Sequence, residues 1–197
     1  MEYLLTLVAF AFATSATPGP NVLMVAASAA QVGMRRVVPH MLGITLGFPA
    51  MFLAVALGLG MPFESYPWLH RAMQVVGAAW LVWLAWKIAT AAPPAGRQER
   101  PAPPLGFVGA AAFQWVNPKA WMIVLAALPA FTTPGESLLP QALTVALVFA
   151  LVSMPCLVFW AWLGSAARRV LGDGARWRAF NWSMAVLLLL SLLPLFR

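Results

Sequence analysis

The sequence predicts an all-α polytopic membrane protein. Six transmembrane helices are expected, laid out as two inverted three-helix repeats, with proline breaking the first helix of each repeat. Three observations predict this. Of the 197 residues, 62% are hydrophobic and 9% charged, whereas soluble domains run about 45–50% apolar and about 25% charged; so short and apolar a chain has too little polar surface to coat a soluble core. The apolar residues fall into six runs, each able to make a span of roughly 20 residues. The basic residues gather in alternate connections between those runs.

The runs cover about 3–29, 38–60, 68–89, 105–131, 139–163 and 180–196. The first, in "MEYLLTLVAFAFATSATPGP", ends in small residues as a secretory signal does. It starts with Glu2 rather than a basic stretch, however, and apolar character resumes after Pro20, so a retained first helix is expected. Trp68, Trp80, Trp83, Trp86, Trp160, Trp162, Trp177 and Trp182 lie mainly near run ends, where indole favours the membrane interface. His40 and His70 also lie near run ends and are expected at the interface. Cys156, the single cysteine, excludes an intramolecular disulfide and reads as a small packing residue.

Charge sets the expected orientation. Arg35 and Arg36 follow the first run, Lys87, Arg97 and Arg100 the third, and Arg168, Arg169, Arg176 and Arg178 the fifth, which accounts for nine of the twelve Lys and Arg residues. The other two connections carry Glu64 and Glu136. By the positive-inside rule the basic connections are cytoplasmic and both termini periplasmic. The net charge of +7 comes from these short clusters, with no basic helix or RNA-type aromatic motif, which argues against nucleic-acid binding.

"TAAPPAGRQERPAPPLG", from Thr90, has the composition of a flexible connection. It divides the chain into a first repeat (1–90), a cytoplasmic linker (91–104) and a second repeat (105–197). Three runs per half insert the second half upside down, as in many secondary transporters. Pro18 and Pro118 stand 100 positions apart, each in the first run of its half; Pro49 and Pro155 interrupt the second runs less regularly.

Thr17-Pro18-Gly19-Pro20-Asn21 cannot continue a regular helix, because each proline removes a donor and clashes with the preceding turn. At about 1.5 Å per residue, Pro18 lies about 22 Å from one face and Asn117 about 18 Å from the other. Carbonyls freed at such depth need internal partners or a wet cavity. In "WVNPKAWM", Lys119 adds a full charge at that level, at a cost of roughly 2.5–3.5 kcal/mol on insertion scales. No acidic residue lies in a run core. Its expected partners are the carbonyls near Pro18 and Pro20, Asn21, or the carboxylate of a substrate, with snorkelling to the cytoplasmic face as the alternative. Asn21, Thr45, Gln74, Gln114 and Asn117 can bond between helices. Gly43 and Gly47, in "GITLG", form a small face for close helix approach.

"TPGPNVLMVAASAAQVGMRR", then "LGITLGF", then "NPKAWMIVLAALPAF" resemble the LysE/RhtB superfamily of bacterial amino-acid exporters. "GAAWLVWLAWKIATA" at Gly77–Ala91 is most similar to the cysteine/O-acetylserine exporter branch. The resemblance runs through the whole chain in order. It implies a multi-pass protein of the bacterial inner membrane that exports small zwitterionic amino acids or their derivatives, coupled to protons. It places the TPGPN and NPK blocks in the functional core. The candidate substrate-binding residues are Thr17, Pro18, Gly19, Pro20, Asn21, Gln114, Asn117, Pro118 and Lys119. Many superfamily members carry Asp after the second-run glycine pair; Phe48 stands there, as an aromatic does in the cysteine-exporter branch.

Other readings fare worse. A divalent-metal or other small-solute exporter of related fold is the alternative, but metal needs converging carboxylates, imidazoles or thiolates, and the run cores hold only Cys156. An enzyme would need an activated nucleophile, and no acid or His sits at depth beside Ser15, Ser28, Ser153 or Ser191. Neither a cofactor nor a metal is expected; membrane lipid surrounds the protein, and a homo-oligomer is left open.

Overall fold

A computed structural model describes residues 1–59, 66–92, 103–171 and 174–193. Glu64, Arg97, Arg100, most of the expected linker and the end of the sixth run lie outside the described residues. Among the described residues every regular element is helical: α1 (Glu2–Ala16), α2 (Pro20–Val32), α3 (Val38–Ala54), α4 (Pro67–Ala89), α5 (Phe107–Phe113), α6 (Pro118–Phe131), α7 (Leu138–Leu171) and α8 (Ala175–Leu190). Short 3₁₀ turns at Met34–Val37 and Gln114–Val116 lead into α3 and toward α6, and a π-turn at Val55–Leu59 ends α3.

Three described helical segments are long and apolar enough to cross a bilayer alone: Met34–Leu59, Arg71–Ala89 and Leu138–Leu171. A fourth forms if α1 and α2, bent by 51° at their break, count as one. Three helices, α2, α4 and α6, open on a proline: Pro20, Pro67 and Pro118 stand at first helical positions, where a proline costs no hydrogen bond.

Several sequence expectations change. Pro49 and Pro155 do not interrupt the second runs, since α3 and α7 continue through them; packed helices tolerate one missing donor. The fifth run ends not at 163 but at Leu171, because Arg168 and Arg169 are good helix formers and extend α7 beyond its apolar stretch. Six tryptophans of the expected interfacial set (Trp68, Trp80, Trp83, Trp86, Trp162 and Trp182) are exposed, but Trp177 is fully buried and Trp160 half-buried. His40 stands near the start of α3 as expected, yet is only 1% exposed, and neither ring nitrogen has a partner among the described residues.

α7 is the central element, packed against α1, α2 and α3; α5 lies on α3, and α8 on α4. The core forms two patches along the helix axes. One joins α2 to Met41 and Ile44 of α3, Leu81 and Ala85 of α4, Leu157 of α7 and Leu188 of α8. The other joins Leu7 of α1 to Phe48, Met51 and Phe52 of α3, Trp121 and Val124 of α6 and Phe149 of α7.

Glycines make the closest approaches. A Cβ on Gly43 would stand 2.3 Å from the Phe107 carbonyl oxygen, one on Gly47 2.5 Å from Ala111 Cα, one on Gly77 2.0 Å from the Val116 carbonyl oxygen, and one on Gly164 2.0 Å from that of Ala26. All four contacts are with backbone, so no side chain can swing aside. Gly77→Ala is therefore expected to cost about 1–3 kcal/mol, the usual range for overpacking, seen as a lowered midpoint in detergent thermal unfolding. Gly106→Ala, where a Cβ meets nothing within 4 Å, should leave the midpoint unchanged.

Candidate functional site

The two helix breaks face each other. α1 ends at Ala16, Thr17 is extended (φ −66°, ψ 141°), and α2 starts at Pro20 after the extended Gly19. In the second half, Gln114–Val116 tightens to 3₁₀ and Asn117 is extended (φ −82°, ψ 111°) before Pro118 opens α6.

Backbone groups released at these breaks find side-chain partners. Trp160 Nε1 donates to the Ala16 carbonyl at 3.1 Å. Lys119 Nζ donates to the Thr17 carbonyl at 2.8 Å, to Thr17 Oγ1 at 2.9 Å and to the Pro18 carbonyl at 3.5 Å. Asn117 Oδ1 accepts from the Lys119 amide at 3.1 Å, an N-cap for α6. Trp121 Nε1 donates to the Trp115 carbonyl at 2.7 Å. Of the partners the sequence offered Lys119, the structure selects the carbonyls beside Pro18, together with the Thr17 hydroxyl.

Asn21 and Gln114 join the two halves directly. Asn21 Nδ2 donates to Gln114 Oε1 at 2.9 Å, and Gln114 Nε2 donates back to Asn21 Oδ1 at 3.2 Å and to the Ala110 carbonyl at 2.9 Å. Gln114 is fully buried.

Between the breaks lies a small open cleft with a cavity volume of about 60 Å³, partly filled by the Lys119 side chain. Five of the nine candidate residues line it: Thr17, Gly19, Asn21, Asn117 and Lys119. The other four do not line it. Pro20 and Pro118 are buried at helix starts, Gln114 holds Asn21, and Pro18 contributes its carbonyl to Lys119. The cleft sits at the junction of the two core patches, with Val22, Ile44 and Leu157 from one and Phe48, Ala120 and Phe149 from the other.

Sequence reasoning did not place Thr14, Ser15 and Ser153 in this cleft as hydroxyl-bearing lining, nor Phe149, whose ring centroid is 4.9 Å from that of Phe48. Thr14 Oγ1 and Ser153 Oγ bond to carbonyls of their own helices. Phe48, at the position where an acid is common in the resembled superfamily, supplies an aromatic wall. The one available signal was spacing: Phe149 and Ser153 share a face of α7 four residues apart. Among the described residues, no group of three or more His, Cys, Asp and Glu converges as a metal site.

The model of the LysE type translocator family matches residues 12–192. A cysteine/O-acetylserine efflux protein of Salmonella typhimurium is 34% identical over 159 residues, 79% of this chain and 79% of that protein. One of Escherichia coli is 31% identical over 186 residues, 93% of this chain and 92% of that protein. No solved structure matches the chain.

The Asn21–Gln114 pair is open to a double-mutant cycle. Asn21→Ala and Gln114→Ala should each cost about 1–3 kcal/mol, since each strands a polar partner. The double variant should cost less than the sum by about 0.6–1.7 kcal/mol, the range for bonds between membrane helices, read from unfolding in detergent.

Proposed function

The chain belongs to the LysE type translocator family, and on that premise we propose that it exports small amino acids or amino-acid derivatives across the bacterial inner membrane, coupled to protons. As a family member it is a membrane transporter rather than an enzyme. The relatives named for cysteine and O-acetylserine efflux make those two compounds the first substrates to test. The observation that supports the reading most is the Lys119 ammonium, held in a cleft between two helix breaks with no carboxylate beside it among its bonded partners.

Such a cleft suits a zwitterion. Lys119 and the start of α2 offer a cation and a helix N-terminus to the carboxylate. The apolar wall of Phe48, Phe149, Ile123 and Leu157 receives a small side chain. The two core patches serve as gates on either side of the cleft, and separating one while the other stays closed gives alternating access.

The halves 1–90 and 105–197 are read as inverted repeats. Equivalent helices pair in support of this: α3 with α7, α4 with α8, and the first half-helix of each half on the second span of the other (α1 on α7, α5 on α3). The orientation is read with both termini periplasmic. Arg168 Nη1 donates to the Gln31 carbonyl, while Trp177 Nε1 and Asn181 Nδ2 donate to the Ala91 carbonyl, which favours gathering the basic connections at one end of the bundle.

Inverted membrane vesicles under an imposed proton gradient test the function. Gradient-dependent accumulation of labelled L-cysteine or O-acetylserine is expected. Lys119→Ala should reduce it at least about thirtyfold, the lower end of what losing a charged partner costs, about 2 kcal/mol; Asn21→Ala should reduce it less. Absence of accumulation across a broad amino-acid panel sinks the exporter reading. For the orientation, Arg35→Cys in a Cys156→Ser background should resist a membrane-impermeant thiol reagent in intact spheroplasts and react in inverted vesicles.

A further inference from the structure

An ammonium already occupies the cleft, that of Lys119. Two of its three acceptors are backbone carbonyls of the extended break just beyond α1, where no helical amide follows to take them. The third is the Thr17 hydroxyl. An ammonium has three protons and no acceptor of its own, and this cradle offers it three oxygens. Immediately after the cradle, α2 begins with Gly19 as its N-cap, and no side chain caps its first turn. The lysine stem lies across that glycine: a Cβ on Gly19 would stand 2.7 Å from Lys119 Cδ and 3.0 Å from Nζ. A helix C-terminus and a helix N-terminus therefore meet under one lysine side chain.

We propose that Lys119 is a resident surrogate for the substrate's ammonium. An α-amino acid binds by placing its own ammonium on the Thr17 and Pro18 oxygens, while the displaced Lys119 turns to the carboxylate over the start of α2. The proposal rests on reading the cleft as an amino-acid site and adds how the site selects its ligand. In the exchange the cradle gives up one ammonium and receives another, and Lys119 trades neutral carbonyls for a carboxylate. An acid without an amine strips the cradle of its cation and returns nothing. An amine without an acid must evict Lys119 and leaves it unpaired. Selection for zwitterions thus follows from a single exchange rather than from two independent pockets. Gly19 is required because any side chain there would fill the path along which Lys119 swings.

Calorimetric binding of L-cysteine, cysteamine (no carboxylate) and 3-mercaptopropionate (no amine) to the protein in lipid nanodiscs tests this. Wild type should bind L-cysteine at least about tenfold more tightly than either analogue, tenfold being about the worth of one charge-assisted hydrogen bond. Lys119→Met empties the cradle, so cysteamine should bind about tenfold more tightly than to wild type while 3-mercaptopropionate weakens. Thr17→Val loosens the hold on Lys119 without removing it, so 3-mercaptopropionate should bind more tightly, by about threefold. A Lys119 that is only a fixed strut predicts no gain for Thr17→Val, and failure of that gain alone overturns the exchange even if Lys119→Met does not fold. Should wild type ignore L-cysteine while Lys119→Met still gains cysteamine, the ammonium cradle stands and the amino-acid reading falls.

Discussion

The carbonyl oxygens of Ala16, Thr17 and Pro18 are left without helical donors where α1 stops, and in an apolar setting each unmet group costs several kcal/mol. The rest of the site follows from how that demand is met. One acceptor takes the indole of Trp160 on α7, and the others take the ammonium of Lys119 on α6. The broken helix is therefore stapled to two elements of the other half of the chain. A charge that is costly in lipid and carbonyls that are costly when bare offset each other. Together the two breaks form a polar cleft walled by apolar side chains.

Much of this could be read from the sequence. Pro18, Gly19, Pro20 and Pro118 marked where helices stop, because the missing donors and the backbone clash are properties of those residues alone. Lys119 stood out because no acid accompanies it in a run core. Its actual partners were less legible: Thr17 and Lys119 are 102 positions apart, and the direction of a side chain depends on packing that periodicity does not encode. Gln114 looked like one of several weak polar signals, yet it is the reciprocal partner of Asn21. Trp160 and Trp177 stand near run ends, where the sequence favours the interface, but both indoles donate to carbonyls of other segments of the chain. An indole N–H serves a buried acceptor as readily as a lipid headgroup, so position along the chain does not separate the two roles.

Small residues give the bundle its tightness. Gly43 and Gly47 let α5 lie with its backbone against α3, Gly164 does the same for α2 against α7, and Gly77 brings α4 onto the Val116 carbonyl beside the second break. Lipid tails are as apolar as leucine, so burial supplies little drive between membrane helices, and close backbone contact has to supply it. Stability and function are linked at Gly77, where helix packing also fixes the carbonyl that precedes Asn117.

The length of α7 has a consequence of its own. Its 34 residues extend about 51 Å at 1.5 Å per residue, against a hydrocarbon core of about 30 Å. Even a 40° tilt leaves a projection of about 39 Å, so at least a turn of this helix must stand in the headgroup region or beyond. That protruding end carries Arg168 and Arg169, and Arg168 holds the Gln31 carbonyl at the end of α2. The same rigid rod lines the cleft at Ser153 and Leu157. One continuous helix thus ties the Arg168–Gln31 contact at its basic end to the cleft wall at Ser153 and Leu157.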